Sequence, residues 1–112
     1  MDNATRDKTA SGQQTRMRSA IERVVTPGPR FLRGEIDADH MAEAMVAAVR
    51  AYVELERALG SDGRPQDRQN EALYQVLGEL LACGSGYLAG RCDGACVART
   101  MTAMVEEFGE AH

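Results

Sequence analysis

Reactive side chains are scarce in this chain of 112 residues. It has two histidines, one of which is the last residue, and no tryptophan. We find no paired-carboxylate motif, no cluster of metal ligands and no nucleophile next to a base, which are the patterns that side-chain catalysis uses. His40 has no such partner and is interpreted as a surface residue. We therefore expect no enzymatic activity and no cofactor, and a protein that works by binding another protein.

Aromatic residues are also few, with three tyrosines and two phenylalanines. The core must therefore be aliphatic, with the six methionines as adaptable filler. A chain of this length forms one domain with a modest core, so that pairing with a second copy would add buried surface.

Long apolar segments are missing as well. The first twenty residues lack the apolar segment of a signal peptide. The longest uncharged stretch of the C-terminal half, Leu80 to Gly90, is too short to span a bilayer. We expect a soluble, cytoplasmic protein without membrane contact.

Cysteine is limited to Cys83, Cys92 and Cys96. An odd number argues against a closed disulfide framework, and in the cytoplasm all three should be reduced. Their spacing lacks the paired two-residue gaps of zinc modules. Buried, inert thiols are the preferred interpretation. A redox switch that uses Cys92 and Cys96, one helical turn apart, is the alternative.

The charge is divided unevenly along the chain. Residues 1–33 carry seven basic and three acidic groups, whereas residues 34–112 carry six basic and fourteen acidic groups. Only the N-terminal arm could attract nucleic acid, and a solvated tail is the preferred interpretation. A small helical DNA-binding regulator or antitoxin that uses this arm is the alternative function. A helical enzyme such as a mutase would need Arg and Glu residues converging in a pocket, and the sequence identifies no such group.

Helical periodicity predicts an all-α fold of about four helices, two of them long and central, assembled as a homodimer. Residues 1–12 are polar, have no period and are predicted to be a disordered tail. Residues 13–112 form a single helical domain whose first helix covers residues 13–25. The sequence Thr26-Pro27-Gly28-Pro29 ends that helix.

The second helix is predicted from Ala38 to Leu59, with Asp37 as its N-cap and Gly60 as its stop. Its apolar stripe consists of Met41, Met45, Val49, Tyr52, Leu55 and Leu59. Its residues Glu54, Glu56 and Arg57 are interpreted as a solvated face.

The third helix is predicted to start near Gln66, with Pro65 in its first turn, and to continue to about Ala89. A flexible loop from Gly84 onward is the alternative. Asp93 caps the fourth helix, Gly94 to Phe108.

Small residues recur at every fourth position of the third helix, at Gly78, Ala82, Gly86 and Gly90. This strip would let another helix approach closely, and we predict that it packs in the dimer.

The connector of residues 30–36 carries three large apolar residues, Phe31, Leu32 and Ile36. Packing onto the domain is expected for Leu32. For Phe31 and Ile36, packing onto the domain and contact with a partner both stay open.

The order of segments resembles a known family. A short basic helix and a proline-rich connector precede a long helix with the sequence MAEAMVAAVRAYVEL, residues 41–55, and a Gly/Asp/Pro loop leads into a second long helix. This plan, over most of the chain, resembles the small all-helical antiactivators of LuxR-type quorum-sensing transcription activators. The likeness is one of plan and general sequence character, without a diagnostic motif.

The resemblance implies a homodimer that binds the ligand-binding domain of an acyl-homoserine-lactone receptor. Binding would block dimerisation of the receptor and remove it from its promoter. A competitor for an apolar dimer interface needs apolar anchors on its own surface. We predict that these anchors are Phe31, Leu32, Ile36, Met41 and Met45.

Overall fold

The computed structural model describes the backbone of residues 2–109 and the side chains of residues 12–109. It contains four long helices, one short helix and one 3-10 turn. They are α1 (Asp2–Val25), α2 (Gly28–Leu32), α3 (Ala38–Ala58), the 3-10 turn Arg68–Asn70, α4 (Glu71–Leu88) and α5 (Gly94–Phe108). No strand occurs in residues 2–109. The predicted all-α fold of about four helices is confirmed.

The predicted ends of α3 and α5 are confirmed together with their caps. The Asp37 carboxylate accepts a hydrogen bond from the backbone N–H of His40 at 2.8 Å. Asp93 accepts one from Cys96 N–H at 3.2 Å. Gly60 follows α3 with a φ of 85°, a conformation that only glycine adopts without strain.

Two predicted boundaries differ from the structure. The connector contains a helical turn, α2, which begins after Pro27 and has a proline in its first turn. Helix α4 begins at Glu71 rather than near Gln66, because the Asp67 carboxylate accepts a hydrogen bond from Gln69 N–H and begins a 3-10 turn instead. Pro65 therefore lies in the preceding loop.

The C-terminal half of α4 is helical through Leu88, so that the alternative of a loop from Gly84 is wrong. Helix α1 extends to Asp2, well before residue 13. Residues 1–12 are also predicted to be a disordered tail. The side chains of residues 1–11 are not among those described, and the disorder stays a prediction.

The core lies between α1, α3, α4 and α5 and is aliphatic, as predicted. Sulfur-containing side chains fill much of it, because methionine adapts to irregular gaps. The core methionines are Met17, Met41, Met45, Met101 and Met104.

Helices α3 and α4 are in direct contact at Gly84. A Cβ atom placed there would lie 2.8 Å from the Ala42 carbonyl oxygen and 3.0 Å from both Met45 Cβ and Val46 Cγ2. No other residue fits so close to a neighbouring backbone. The absent side chain at Gly84 therefore allows α4 to pack directly on the N-terminal half of α3.

A buried polar cluster holds α1 against the C-terminal end of α3. The Glu56 side chain is fully buried and forms an ion pair with Arg16. Gln13, which is also fully buried, donates to Glu56 Oε2 at 3.3 Å and to the Arg64 carbonyl at 2.8 Å. The side-chain oxygen Oε1 of Gln13 accepts a hydrogen bond from the backbone N–H of Gln66 at 2.9 Å. Glu56 was expected on a solvated face, and that prediction is wrong.

Tyr52 adds a further link between α3 and the loop that follows it. Its hydroxyl donates to the Gly63 carbonyl at 2.9 Å. Burial, followed by the charge of Glu56, raises the pKa of Tyr52 to about 12, so the phenol is neutral throughout the physiological pH range. The loop is thus attached through both Gln13 and Tyr52.

The contact at Gly84 predicts opposite effects for two glycine substitutions in α4. Gly84→Ala should lower the free energy of unfolding by about 1–3 kcal/mol, because the new methyl group meets backbone. Gly78→Ala should raise the free energy of unfolding of the protomer by about 0.5–1 kcal/mol, because no atom of the same chain lies within 4 Å of the added methyl group and alanine favours helix. Urea denaturation of both variants measures the difference, and equal effects would contradict the packing described.

The buried cluster predicts a large loss of stability for Glu56→Ala. Removing one partner of a buried ion pair leaves the other without compensation, which costs about 3–5 kcal/mol. Glu54→Ala is the matched control, since Glu54 is exposed on the same helix and its replacement should change stability by less than about 0.5 kcal/mol. Thermal and urea unfolding compare the two, and a mild effect at Glu56 would mean that the carboxylate is hydrated.

Candidate protein-binding surfaces

Two of the predicted partner anchors are core residues. Met41 and Met45 are fully buried, because the N-terminal half of α3 is covered by the other long helices. Neither side chain can reach a partner in this fold, so both are removed from the candidate surface.

The three apolar residues of the connector differ in their exposure to solvent. Phe31 and Ile36 are half-buried and pack against the core. Leu32, which was expected to pack onto the domain, is instead 41% exposed. Successive residues of a helix point about 100° apart, so Phe31 and Leu32 cannot both face the core. Leu32 is therefore the most accessible of the three apolar residues of the connector.

Helix α3 exposes two leucines that the sequence pattern assigned to its buried stripe. Leu55 is 47% exposed and Leu59 is 58% exposed. The reason is that Glu56 occupies the inward position of this last turn, where it pairs with Arg16. Leu59 is the C-cap residue, at the end of the helix. Apolar periodicity alone could not reveal this, because it treats glutamate as a solvent-facing residue.

A groove between α1 and α3 adjoins Leu55. It encloses about 160 Å³ and is lined by small residues, Ser19, Ala20, Ala48 and Ala51, with Arg16 and Arg23 also contributing to its lining. Because these side chains are small, they leave space between the two helices. An apolar side chain of a partner could lie in that space beside Leu55. We call this the α1/α3 groove.

Helix α4 presents a second surface without charge. Tyr74, Gly78, Leu81, Ser85 and Leu88 follow one another at steps of four and three, the spacing of a coiled-coil seam. Tyr74, Gly78 and Leu88 are exposed, and Leu81 and Ser85 are half-buried. The Ser85 hydroxyl donates to the Leu81 carbonyl at 2.6 Å, so it does not need a partner from elsewhere. We call these five residues the α4 seam.

The strip of small residues predicted for dimer packing is only partly available. Gly78 and Ala82 are exposed on α4. Gly86 is buried, and a Cβ there would lie 3.7 Å from Cys92 Sγ. Gly90 follows the helix with a φ of 78°. Within the protomer the close approach of two helices uses Gly84, which is outside this strip.

The three cysteines all line a groove between α4 and α5. This α4/α5 groove encloses about 600 Å³. Cys83 Sγ lies 3.8 Å from the Cys96 carbonyl oxygen, and Cys92 Sγ lies 3.8 Å from the Cys83 carbonyl oxygen. All three thiols are free, with Cys83 buried as predicted and the other two half-buried.

Charged residues also converge on the α4/α5 groove. Glu79, Arg91 and Arg99 contribute to its lining. The sequence did not indicate this convergence, because the three residues belong to α4, a turn and α5. Their meeting depends on how α5 folds back along α4.

No group of three or more His, Cys, Asp and Glu side chains in the described part of the chain is arranged to hold a metal ion. None of the helices, over the residues that the structure describes, is both long enough and apolar enough to cross a bilayer. His40 is exposed, as expected.

Comparison of the chain with models of protein families, with curated proteins and with solved structures found no match. The resemblance to quorum-sensing antiactivators therefore depends on the plan of the sequence alone. The surfaces described above provide the physical basis for the proposal that follows.

Proposed function

We propose that this protein is a negative regulator that binds a LuxR-type transcription activator and keeps it from dimerising and binding DNA. The observation that carries the proposal is the exposure of large apolar side chains on two separate helical surfaces. They are Leu55 and Leu59 at the end of α3, and Tyr74 and Leu88 on α4. One surface is assigned to the activator and the other to a second copy of this chain.

The α1/α3 groove with Leu55 and Leu59 is the surface proposed for the activator's ligand-binding domain. Its small lining residues would accept an apolar side chain, and the two leucines would be covered by the partner. Arg23 beside the groove favours acidic groups on the partner, because the charge of Arg16 is already compensated by Glu56. A surface of this composition can replace one half of an apolar dimer interface, which is how binding would block dimerisation.

The α4 seam is the surface proposed for the homodimer. The ends of the seam are symmetric about Leu81, because Tyr74 and Leu88 each lie seven residues from it. In an antiparallel pair with a two-fold axis at Leu81, Tyr74 would meet Leu88 of the second copy, and Gly78 would lie one residue out of register with Ser85. Such a self-complementary face is what a two-fold interface requires.

Charge is also compatible with pairing along α4. Between Ala72 and Gly90 the only charged residue is Glu79. Of the fourteen acidic groups of residues 34–112, only Glu79 belongs to this stretch, so that two facing α4 helices would bring few like charges together. Gly78 and Ala82 remain available for close contact in this arrangement.

The alternative of DNA binding through the basic arm has less support. Arg16, one of the seven basic residues of the arm, is paired with the buried Glu56. Such a pair is not free to neutralise a phosphate group. Arg6 and Lys8 lie outside the described side chains.

Binding to the activator should depend on Leu55, which lines the groove, and on the exposed Leu59 one turn further along the chain. We expect Leu55→Ser/Leu59→Ser to weaken binding to a LuxR-type ligand-binding domain by roughly 30-fold or more, since truncation of each apolar anchor costs about 1 kcal/mol or more. Surface plasmon resonance measures the affinity. Leu32→Ser is the comparison variant, because Leu32 is an exposed leucine outside the groove lining that was also predicted as a partner anchor. A loss confined to Leu32→Ser would move the contact to the connector and contradict this assignment.

Charge substitutions in the α4 seam should control dimerisation. Tyr74→Glu/Leu88→Glu would place like charges opposite each other across the antiparallel pair, and we expect a monomer by sedimentation equilibrium. Tyr74→Lys/Leu88→Glu would place opposite charges there, and we expect the dimer to persist. A wild-type monomer, or a dimer that survives the first pair of substitutions, would contradict the proposed seam.

A further inference from the structure

The α4/α5 groove is the largest concavity described above, and the partner surfaces proposed above leave most of it unused. Its volume of about 600 Å³ lies within the range of about 300–1,000 Å³ that is usual for small-molecule sites. Its lining combines apolar and small side chains with a few charged ones, which is also the usual composition of such sites. The apolar and small contributors include Ala82, Gly86, Ala103 and Met104.

The charged residues of the groove favour an anion. Two basic residues, Arg91 and Arg99, and one acidic residue, Glu79, line the groove. Neither arginine forms a salt bridge with a described side chain. An anionic group of a ligand would therefore meet an excess of positive charge, and guanidinium binds carboxylates with two parallel hydrogen bonds.

The thiols of the groove do not oppose an anion. Burial, opposed by a hydrogen bond from Thr100 and reinforced by Cys96, raises the pKa of Cys83. Partial burial and the neighbouring Cys96 raise the pKa of Cys92. Both thiols are therefore neutral near pH 7, and a neutral thiol behaves as a small apolar group. The thiols thus extend the apolar part of the lining.

We propose that the α4/α5 groove binds a small anionic amphiphile, a molecule with one carboxylate and an apolar body. The carboxylate pairs with Arg91 and Arg99, and the apolar body lies on the thiols, Met104 and the small residues of α4 and α5. This site is separate from the α1/α3 groove, and the proposal does not depend on the proposed regulatory function.

Octanoate and 1-octanol are matched probes, because they share an apolar chain and differ in charge. We expect octanoate to shift the amide resonances of residues that line the groove in a saturable manner, and to slow the alkylation of Cys92 and Cys96 by the neutral reagent iodoacetamide. Octanol should bind at least about tenfold more weakly, since a charged hydrogen bond contributes about 1.5–3 kcal/mol.

Arginine variants test the source of that preference. Arg91→Gln/Arg99→Gln should weaken octanoate binding by about tenfold or more and leave octanol binding unchanged. Arg50→Gln/Arg57→Gln removes the same charge from exposed positions on α3 and should leave both affinities unchanged. Circular dichroism verifies that each variant is folded.

Three results would overturn the proposal. The first is the absence of octanoate binding to the wild-type chain. The second is equal affinity for octanoate and octanol, which would mean that the groove accepts any apolar chain. The third is equal weakening by the two arginine pairs, which would mean that net charge rather than the groove attracts the anion.

Discussion

The arrangement of this bundle depends on the direct contact between α3 and α4 at Gly84. A Cβ at this position would lie 2.8 Å from a backbone carbonyl of α3, so that the two helices could not pack in this way around any other residue. The contact determines which side of α4 is covered. The α4 seam and the α4/α5 groove both lie on the remaining circumference of α4.

The buried pair of Arg16 and Glu56 has a comparable effect at the other end of α3. Because Glu56 takes the inward position, Leu55 lies at the surface and Leu59 ends the helix uncovered. A chain selected for stability alone would place a leucine inward, since a buried ion pair often contributes less than an apolar replacement. The arrangement thus places an ion pair in the interior and leaves two leucines at the surface.

The helices could be predicted from the sequence because their signals are local. Asp37 and Asp93 as caps, Gly60 as a stop and the period of the apolar residues each act within one or two turns. The surfaces could not be predicted in the same way, because they depend on contacts between distant residues. The pattern took Glu56 for solvent-exposed and Met41 for accessible, since no local signal reveals a partner such as Arg16 or the covering of α3. The meeting of Cys83, Arg91 and Arg99 is likewise visible only after α5 has folded back along α4.

Capture of an activator by this chain, with loss of the activator's dimerisation, can be detected from the mass of the complex. The tagged protein would be mixed with the ligand-binding domain of a LuxR-type activator, purified by size exclusion and measured by multi-angle light scattering. We predict a stable complex in which no two activator domains contact each other. Chemical cross-linking would verify that the activator domains are separate. An activator that stays dimeric in the presence of excess protein, or that elutes separately from it, would contradict the account.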